Sequence, residues 1–146
     1  MTLSTPTSER RRTAMDRILV IAHDGALRKV LERLFSSEKY EVDFAPNCIS
    51  GLEILGQKTY SAVVLDLPFP EASGVDLCRK IVNLIRDLPF LILSASSDVA
   101  DKLRFLETGA DDYVTIPFSP NELAARLHAL MRHRSSISLE QPTTPL

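Results

Sequence analysis

The strongest constraint on the fold is a regular alternation of two apolar patterns along the chain. Ile18-Leu19-Val20-Ile21-Ala22, Ala62-Val63-Val64-Leu65 and Phe90-Leu91-Ile92-Leu93 are short continuous apolar runs. Runs of this length suggest strands buried on both faces. Glu41-Val42-Asp43-Phe44-Ala45 alternates instead, as an edge strand with one wet face does, and Tyr113-Val114-Thr115-Ile116 is the fifth candidate. Helical stripes lie between these runs. Leu27, Val30, Leu31, Leu34 and Phe35 follow the i, i+3, i+4, i+7, i+8 spacing. Cys48, Leu52 and Leu55 form a weaker stripe, and Leu77, Cys78, Ile81, Val82 and Ile85 a third. Leu103, Leu106 and Ala110 follow a cap at Ser97-Asp98, with Gly109 near the end. Ser119, Pro120 and Glu122 read as a capping box ahead of Leu123, Leu127 and Leu130. Strand–helix repeated five times implies an α/β fold, a five-stranded parallel sheet with helices on both faces.

The remaining features bound the class of protein. A chain of 146 residues that is 45% hydrophobic and 25% charged can build one core. We expect a disordered arm over 1–15, a folded domain over 16–134 and a linker or tail over 135–146. Met15, just before the first run, is an alternative start. Arg10, Arg11 and Arg12 read as a solvated stretch or a contact for an acidic partner. A formal net charge of −2 gives no reason to expect nucleic-acid or membrane binding by the domain itself. Cys48 and Cys78 sit in no metal or redox spacing and read as free thiols of a reducing compartment. No apolar run approaches the roughly 20 residues that cross a bilayer, and the first residues lack a signal-peptide core. The expected location is cytoplasmic.

In a parallel sheet of this kind, chemistry sits beyond the carboxyl ends of the strands. Those ends are Ala22-His23-Asp24, Asp66, Ser94 and Ile116. Around them the sequence resembles the receiver domain of bacterial two-component response regulators, from about Arg17 to Arg134. Val63-Val64-Leu65-Asp66-Leu67 with Pro70 and Gly74 matches the phosphoacceptor block. Leu91-Ile92-Leu93-Ser94-Ala95 matches the strand that ends in the family's hydroxyl switch residue. Gly109-Ala110-Asp111-Asp112-Tyr113-Val114-Thr115 followed by Pro117-Phe118 matches the last block. The resemblance implies a flavodoxin-like (βα)5 receiver fold. It also implies a phosphoacceptor position at Asp66, switch positions at Ser94 and Tyr113, and no catalytic residue of an enzyme in its own right.

The pattern then breaks. Two adjacent acids hold the metal in the family, and here those positions are Ala22 and His23. Asp24 falls one place later, where strand alternation would point it elsewhere unless the register shifts. The family's lysine position is Ile116, which carries no charge. Phosphoryl transfer to an aspartate needs a hard cation held by oxygen ligands and a fixed positive group. Mg²⁺ binding is therefore expected to be weak or absent, and the domain to be a degenerate receiver. His23 beside Asp66 offers a polar lining, a ligand for a softer metal, or a partner for the carboxylate; two candidate ligands do not define a metal site.

Lys102, Glu107, Asp111, Asp112, Glu122, Arg126 and His128 carry mixed charges on the fourth helix, fifth strand and fifth helix. Such a pattern reads as a solvated face. This stretch also resembles receivers of OmpR/PhoB-type transcription regulators, which implies salt bridges across a symmetric dimer. Lys102 with Glu122, Asp111 or Asp112 with Arg126, and Glu107 with His128 would supply them. In that subfamily a winged-helix domain follows, so DNA would be reached only through such a fused domain outside this chain, if one exists; a stand-alone receiver is the other reading. The leading expectation is a phosphorylation-independent dimerisation or partner-binding module. The alternative is a receiver that accepts phosphate on Asp66 from a histidine kinase, with Asp24 or His23 improvising the metal site. A nucleotide-binding enzyme is disfavoured because no glycine-rich phosphate loop follows any strand.

Overall fold

The computed structural model describes residues 16–67, 72–84 and 87–140. Five strands, β1 (Arg17–Ile21), β2 (Glu41–Ala45), β3 (Ala62–Leu67), β4 (Phe90–Ser94) and β5 (Asp112–Thr115), form one sheet. All pairings are parallel and the order is β2-β1-β3-β4-β5. Five helices alternate with them: α1 (Gly25–Ser37), α2 (Cys48–Leu55), α3 (Ala72–Leu84), α4 (Val99–Glu107) and α5 (Pro120–Glu140). The expected fold class is the one observed.

The period of two along each strand splits the core into two layers. Leu19, Ile21, Val63, Leu65, Phe90 and Ile92 face α2, α3 and α4, against Leu52, Cys78, Ile81 and Phe105. Ile18, Val20, Val64, Leu91 and Leu93 face the other way, against Leu31 and Phe35 of α1 and Leu123 and Leu127 of α5. Continuous apolar runs are needed because β1, β3 and β4 are covered on both sides. β2 stands at the edge, but its burial does not alternate as expected: it grades from exposed Glu41 through three half-buried residues to buried Ala45.

Helix ends follow local chemistry. Asp24, Asn47 and Asp98 accept hydrogen bonds from first-turn N–H groups of α1, α2 and α4. At the end of α4, Gly109 has φ 117°, Ala110 N donates to the Phe105 carbonyl and Gly109 N donates to the Leu106 carbonyl. These two bonds satisfy carbonyls that the helix leaves unpaired. The end of α1 repeats the arrangement with Lys39 at φ 67°, Tyr40 N donating to the Phe35 carbonyl and Lys39 N to the Ser36 carbonyl.

Four expectations change. Leu103 is 53% exposed while Phe105 is fully buried. The two lie about 200° apart around α4, and the larger aromatic takes the core side. At α5 the Ser119 hydroxyl accepts from Glu122 N at 3.4 Å, but the Glu122 carboxylate turns to Arg126, so only half of the capping box forms. α5 runs to Glu140, past the domain end expected at Arg134 and into the segment expected to be a linker over 135–146. Nothing in Ser135–Glu140 breaks a helix; the first proline beyond is Pro142. Val30, expected in the buried stripe of α1, is 46% exposed. Residues 1–15 and 141–146, Pro70 and Ile85 lie outside the described residues.

Candidate functional site

β3 is central, and Asp66 is the next-to-last residue of that strand. Its strand partner on β4 is apolar, Leu93, and it lies one residue past the end of the pairing with β1. Asp66 is half-buried, and its carboxyl is held above the usual range by burial first and by the negative charge of Asp24 second. Asp24 therefore stands near Asp66, against the expectation that alternation would turn it away. The physical reason is that β1 ends at Ile21, so the alternation stops three residues before Asp24. Asp24 instead caps α1, its Oδ1 accepting from Ala26 N at 2.8 Å and Leu27 N at 3.4 Å.

Asp66, His23, Asp24, Gly25, Ala26, Leu27, Val30, Ala95 and Ile116 line an open cleft of about 910 Å³. His23 is exposed, and the ion pairs of the described residues do not include one between His23 and Asp66. Ala22 is only 1% exposed and packs in the core with Val20 and Leu31. Ile116 donates its backbone N–H to the Ser94 carbonyl at 2.7 Å and presents an apolar side chain to the cleft. Among the described residues no group of three or more His, Cys, Asp or Glu stands together as a metal would require. The side-chain oxygen donors of the described lining are the carboxylates of Asp24 and Asp66, one of them already engaged with a helix N-terminus.

Ser94 is fully buried, and its Oγ accepts from Ser96 N at 3.2 Å. It lies beside the cleft and is not among the lining residues named above. Tyr113 is buried against Phe105, ring centroids 6.0 Å apart, and its hydroxyl donates to the Ser96 carbonyl at 3.0 Å. Ser94 and Tyr113, the two expected switch positions, thus both hydrogen-bond Ser96. Sequence reasoning did not single out Ser96, whose Oγ also donates to Asp101 at 2.8 Å and accepts from Asp98 N at 3.2 Å. The Ser-rich stretch between β4 and α4 was its only signal.

Of the mixed charges on the α4–β5–α5 side, Asp111, Asp112, Glu122 and Arg126 have partners within the chain. The Arg126 guanidinium forks to Asp112 at 2.9 Å and Glu122 at 3.0 Å. Asp111 accepts from Phe90 N at 2.8 Å, fastening the amino end of β5 to β4. Lys102 and Glu107 are exposed on α4. His128, expected to pair with Glu107 across a dimer, has a contact within the chain. Its Nδ1 stands 3.4 Å from the Tyr40 hydroxyl, at the α1 side of the domain. Two residues along a helix is about 200° of rotation, so Arg126 and His128 point to opposite sides.

A parallel sheet ordered β2-β1-β3-β4-β5 is flavodoxin-like, with its ligand crevice where the strand order reverses, between β1 and β3. Asp66 and Asp24 stand at that crevice, which defines the class of protein. The chain belongs to the response regulator receiver domain family, whose model matches residues 18–128. It is the receiver domain of a two-component response regulator. It is 39% identical over 119 residues to response regulator MprA of Mycobacterium sp. (strain KMS), covering 82% of this chain and 52% of that protein. Against response regulator MprA of Mycobacterium ulcerans (strain Agy99) it is 39% identical over 116 residues, 80% of this chain and 50% of that protein. The chain spans about half the length of the curated relatives it matches. Among solved structures, a CheY-like receiver domain protein from Methanospirillum hungatei JF-1 superposes with a TM-score of 0.77 at 21% identity, covering 84% of this chain and 98% of that one. The BeF3-activated DrrB receiver domain superposes with a TM-score of 0.72 at 29% identity, covering 82% and 99%. Among the described residues, no helix is long and apolar enough to cross a membrane.

Proposed function

We propose that this receiver is a non-enzymatic interaction module whose state is not set by Mg²⁺-dependent phosphorylation of Asp66. The observation that carries the reading is the lining of the cleft: Ile116, Ala95, Ala26, Leu27 and Val30 surround Asp66, and no lysine or arginine is among the described lining residues. Removing one preorganised electrostatic contributor of this kind costs about 3 kcal/mol, or about 100-fold in rate. Asp66 lacks such contributors at Ala22, at His23 and at Ile116.

A second reading, a receiver that takes phosphate on Asp66 from a histidine kinase, draws support from one observation. Asp24 stands close enough to raise the Asp66 carboxyl. Against it, the Asp24 Oδ1 is already held by two N–H groups of α1. A divalent ion would have to pull it from the helix or share it.

The output we propose runs through the α4–β5–α5 face, in a homodimer resembling those of OmpR/PhoB-type receivers. Val99 and Leu103 expose apolar surface there beside Lys102. Exchanging the pairs of Arg126 for pairs across a two-fold axis costs little, because exposed ion pairs are worth about 0–1 kcal/mol each. DNA would be reached through a fused domain outside this chain, and the setting is cytoplasmic. The test is an NMR titration with Mg²⁺ that follows Asp24, Asp66 and His23. The expected result is no saturable shift at millimolar Mg²⁺; a shared saturating curve on Asp24 and Asp66 would sink the reading.

A further inference from the structure

We propose that the cleft at the carboxyl ends of the strands binds a small organic cation with an apolar body, a protonated amine whose charge sits between Asp66 and Asp24 while its hydrocarbon lies along Leu27, Val30 and Ile116. The proposal rests on the reading that this cleft no longer serves Mg²⁺ and phosphate, and it names what such a cleft would take instead.

Its shape and its charge argue independently. A cleft of about 910 Å³ is in the range of sites for small organic ligands, about 300–1,000 Å³. Its walls come from rigid elements: α1 supplies Gly25, Ala26, Leu27 and Val30, β3 supplies Asp66, and the segments after β4 and β5 supply Ala95 and Ile116. Val30 belongs to the apolar stripe of α1 yet is 46% exposed, because the cleft lies where packing would otherwise be. A ligand that covered Val30 and Leu27 would remove this apolar surface from water.

The polar end selects the sign of the ligand. Asp66 and Asp24 place two carboxylates near each other with no lysine or arginine in the described lining. An anion such as phosphate would meet like charge and no fixed positive group. A neutral hydrocarbon would desolvate Asp66 further and leave it unpaired, which is costly. A compact metal ion would have to share Asp24 with the N-terminus of α1 and would leave the apolar wall exposed. A protonated amine on a hydrocarbon offsets the carboxylate charge and covers the wall together.

The experiment uses the full chain with methyl-labelled Leu, Val and Ile, titrated with n-hexylamine hydrochloride and, separately, with n-hexanol and sodium hexanoate. The expected result is saturable shifts of the Leu27, Val30 and Ile116 methyls with the amine. Binding should be at least tenfold tighter than for the alcohol, and the hexanoate should not saturate. Asp66→Asn should weaken amine binding at least tenfold, and Ile116→Lys, which sets a competing cation in the cleft, should abolish it. Equal binding of amine and alcohol, saturation by hexanoate, or amine binding unchanged in both variants overturns the proposal. Mass measurement after acetyl phosphate and Mg²⁺ separates the two readings. No amine binding in a chain that stays unphosphorylated overturns this inference alone; phosphorylation of Asp66 overturns the reading beneath it.

Discussion

The Tyr113 hydroxyl donates to the Ser96 carbonyl at 3.0 Å, so an aromatic of the last strand holds the segment that follows β4. The same residue, Ser96, donates its N–H to the Ser94 hydroxyl. Tyr113→Phe keeps the ring against Phe105 and removes only this bond. The expected cost is about 0.5–1.5 kcal/mol by chemical denaturation. Faster amide exchange should appear over Ser94–Asp98 and not in β1 or β2. An unchanged exchange pattern would mean that the bond does not restrain the loop.

The two similar helix ends give opposite results on substitution. Lys39 occupies a left-handed conformation, φ 67°, that costs a side-chain-bearing residue about 1–2 kcal/mol. Lys39→Gly relieves this and pays back part in chain entropy, for a net gain of about 0.5–1 kcal/mol in denaturant. At Gly109 an added Cβ would meet Val82 Cγ1 at 2.8 Å in a backbone conformation with φ 117°. Gly109→Ala is therefore expected to lose about 1–3 kcal/mol, by overpacking and strain together.

Asp66 predicts a pH dependence with a definite sign. Burial and Asp24 raise its folded pKa above the unfolded value. Between those two values the folded state holds the proton more often, so stability falls as pH rises through the window. Above the window the penalty is complete; below about pH 4 it is absent. Asp66→Asn should raise the melting temperature at pH 7–8 and lose that advantage as pH falls toward 4. Paired thermal melts across pH 4–8 measure it, and an advantage independent of pH would contradict it.

The Arg126 cluster separates stability from association. Its pair with Glu122 is exposed and its pair with Asp112 half-buried, so Arg126→Ala should change monomer stability by about 1 kcal/mol. If α4–β5–α5 is the dimer face, sedimentation equilibrium should show weaker self-association for Arg126→Ala, with His128→Ala unaffected because His128 faces Tyr40. Equal self-association of Arg126→Ala and the parent chain would place the dimer elsewhere.

Most of the sheet was legible because its strands are buried on both faces, and continuous runs such as Ile18–Ile21 have few other uses. The fate of single side chains was less so. Leu103 and Phe105 both fit a helical stripe, and only the packing of α4 against the sheet decides between them. Asp24 was misplaced because the end of β1 cannot be located within a residue or two, and one residue decides on which side a carboxylate points. Asp66 and Ile116 were singled out by their place in sequence blocks and do line the cleft, while Ser94 and Tyr113, singled out the same way, lie outside its described lining. Ala95 and Val30 carry no chemical signal of their own, and the cleft they help to line exists only in three dimensions.

The central claim is that Asp66 stands in a cleft unable to support its phosphorylation. The most direct measurement is the intact mass of the chain after incubation with acetyl phosphate and Mg²⁺, with Asp66→Asn alongside. The account predicts no phosphoryl increment on either protein. An increment on the parent chain that is missing from Asp66→Asn would contradict it.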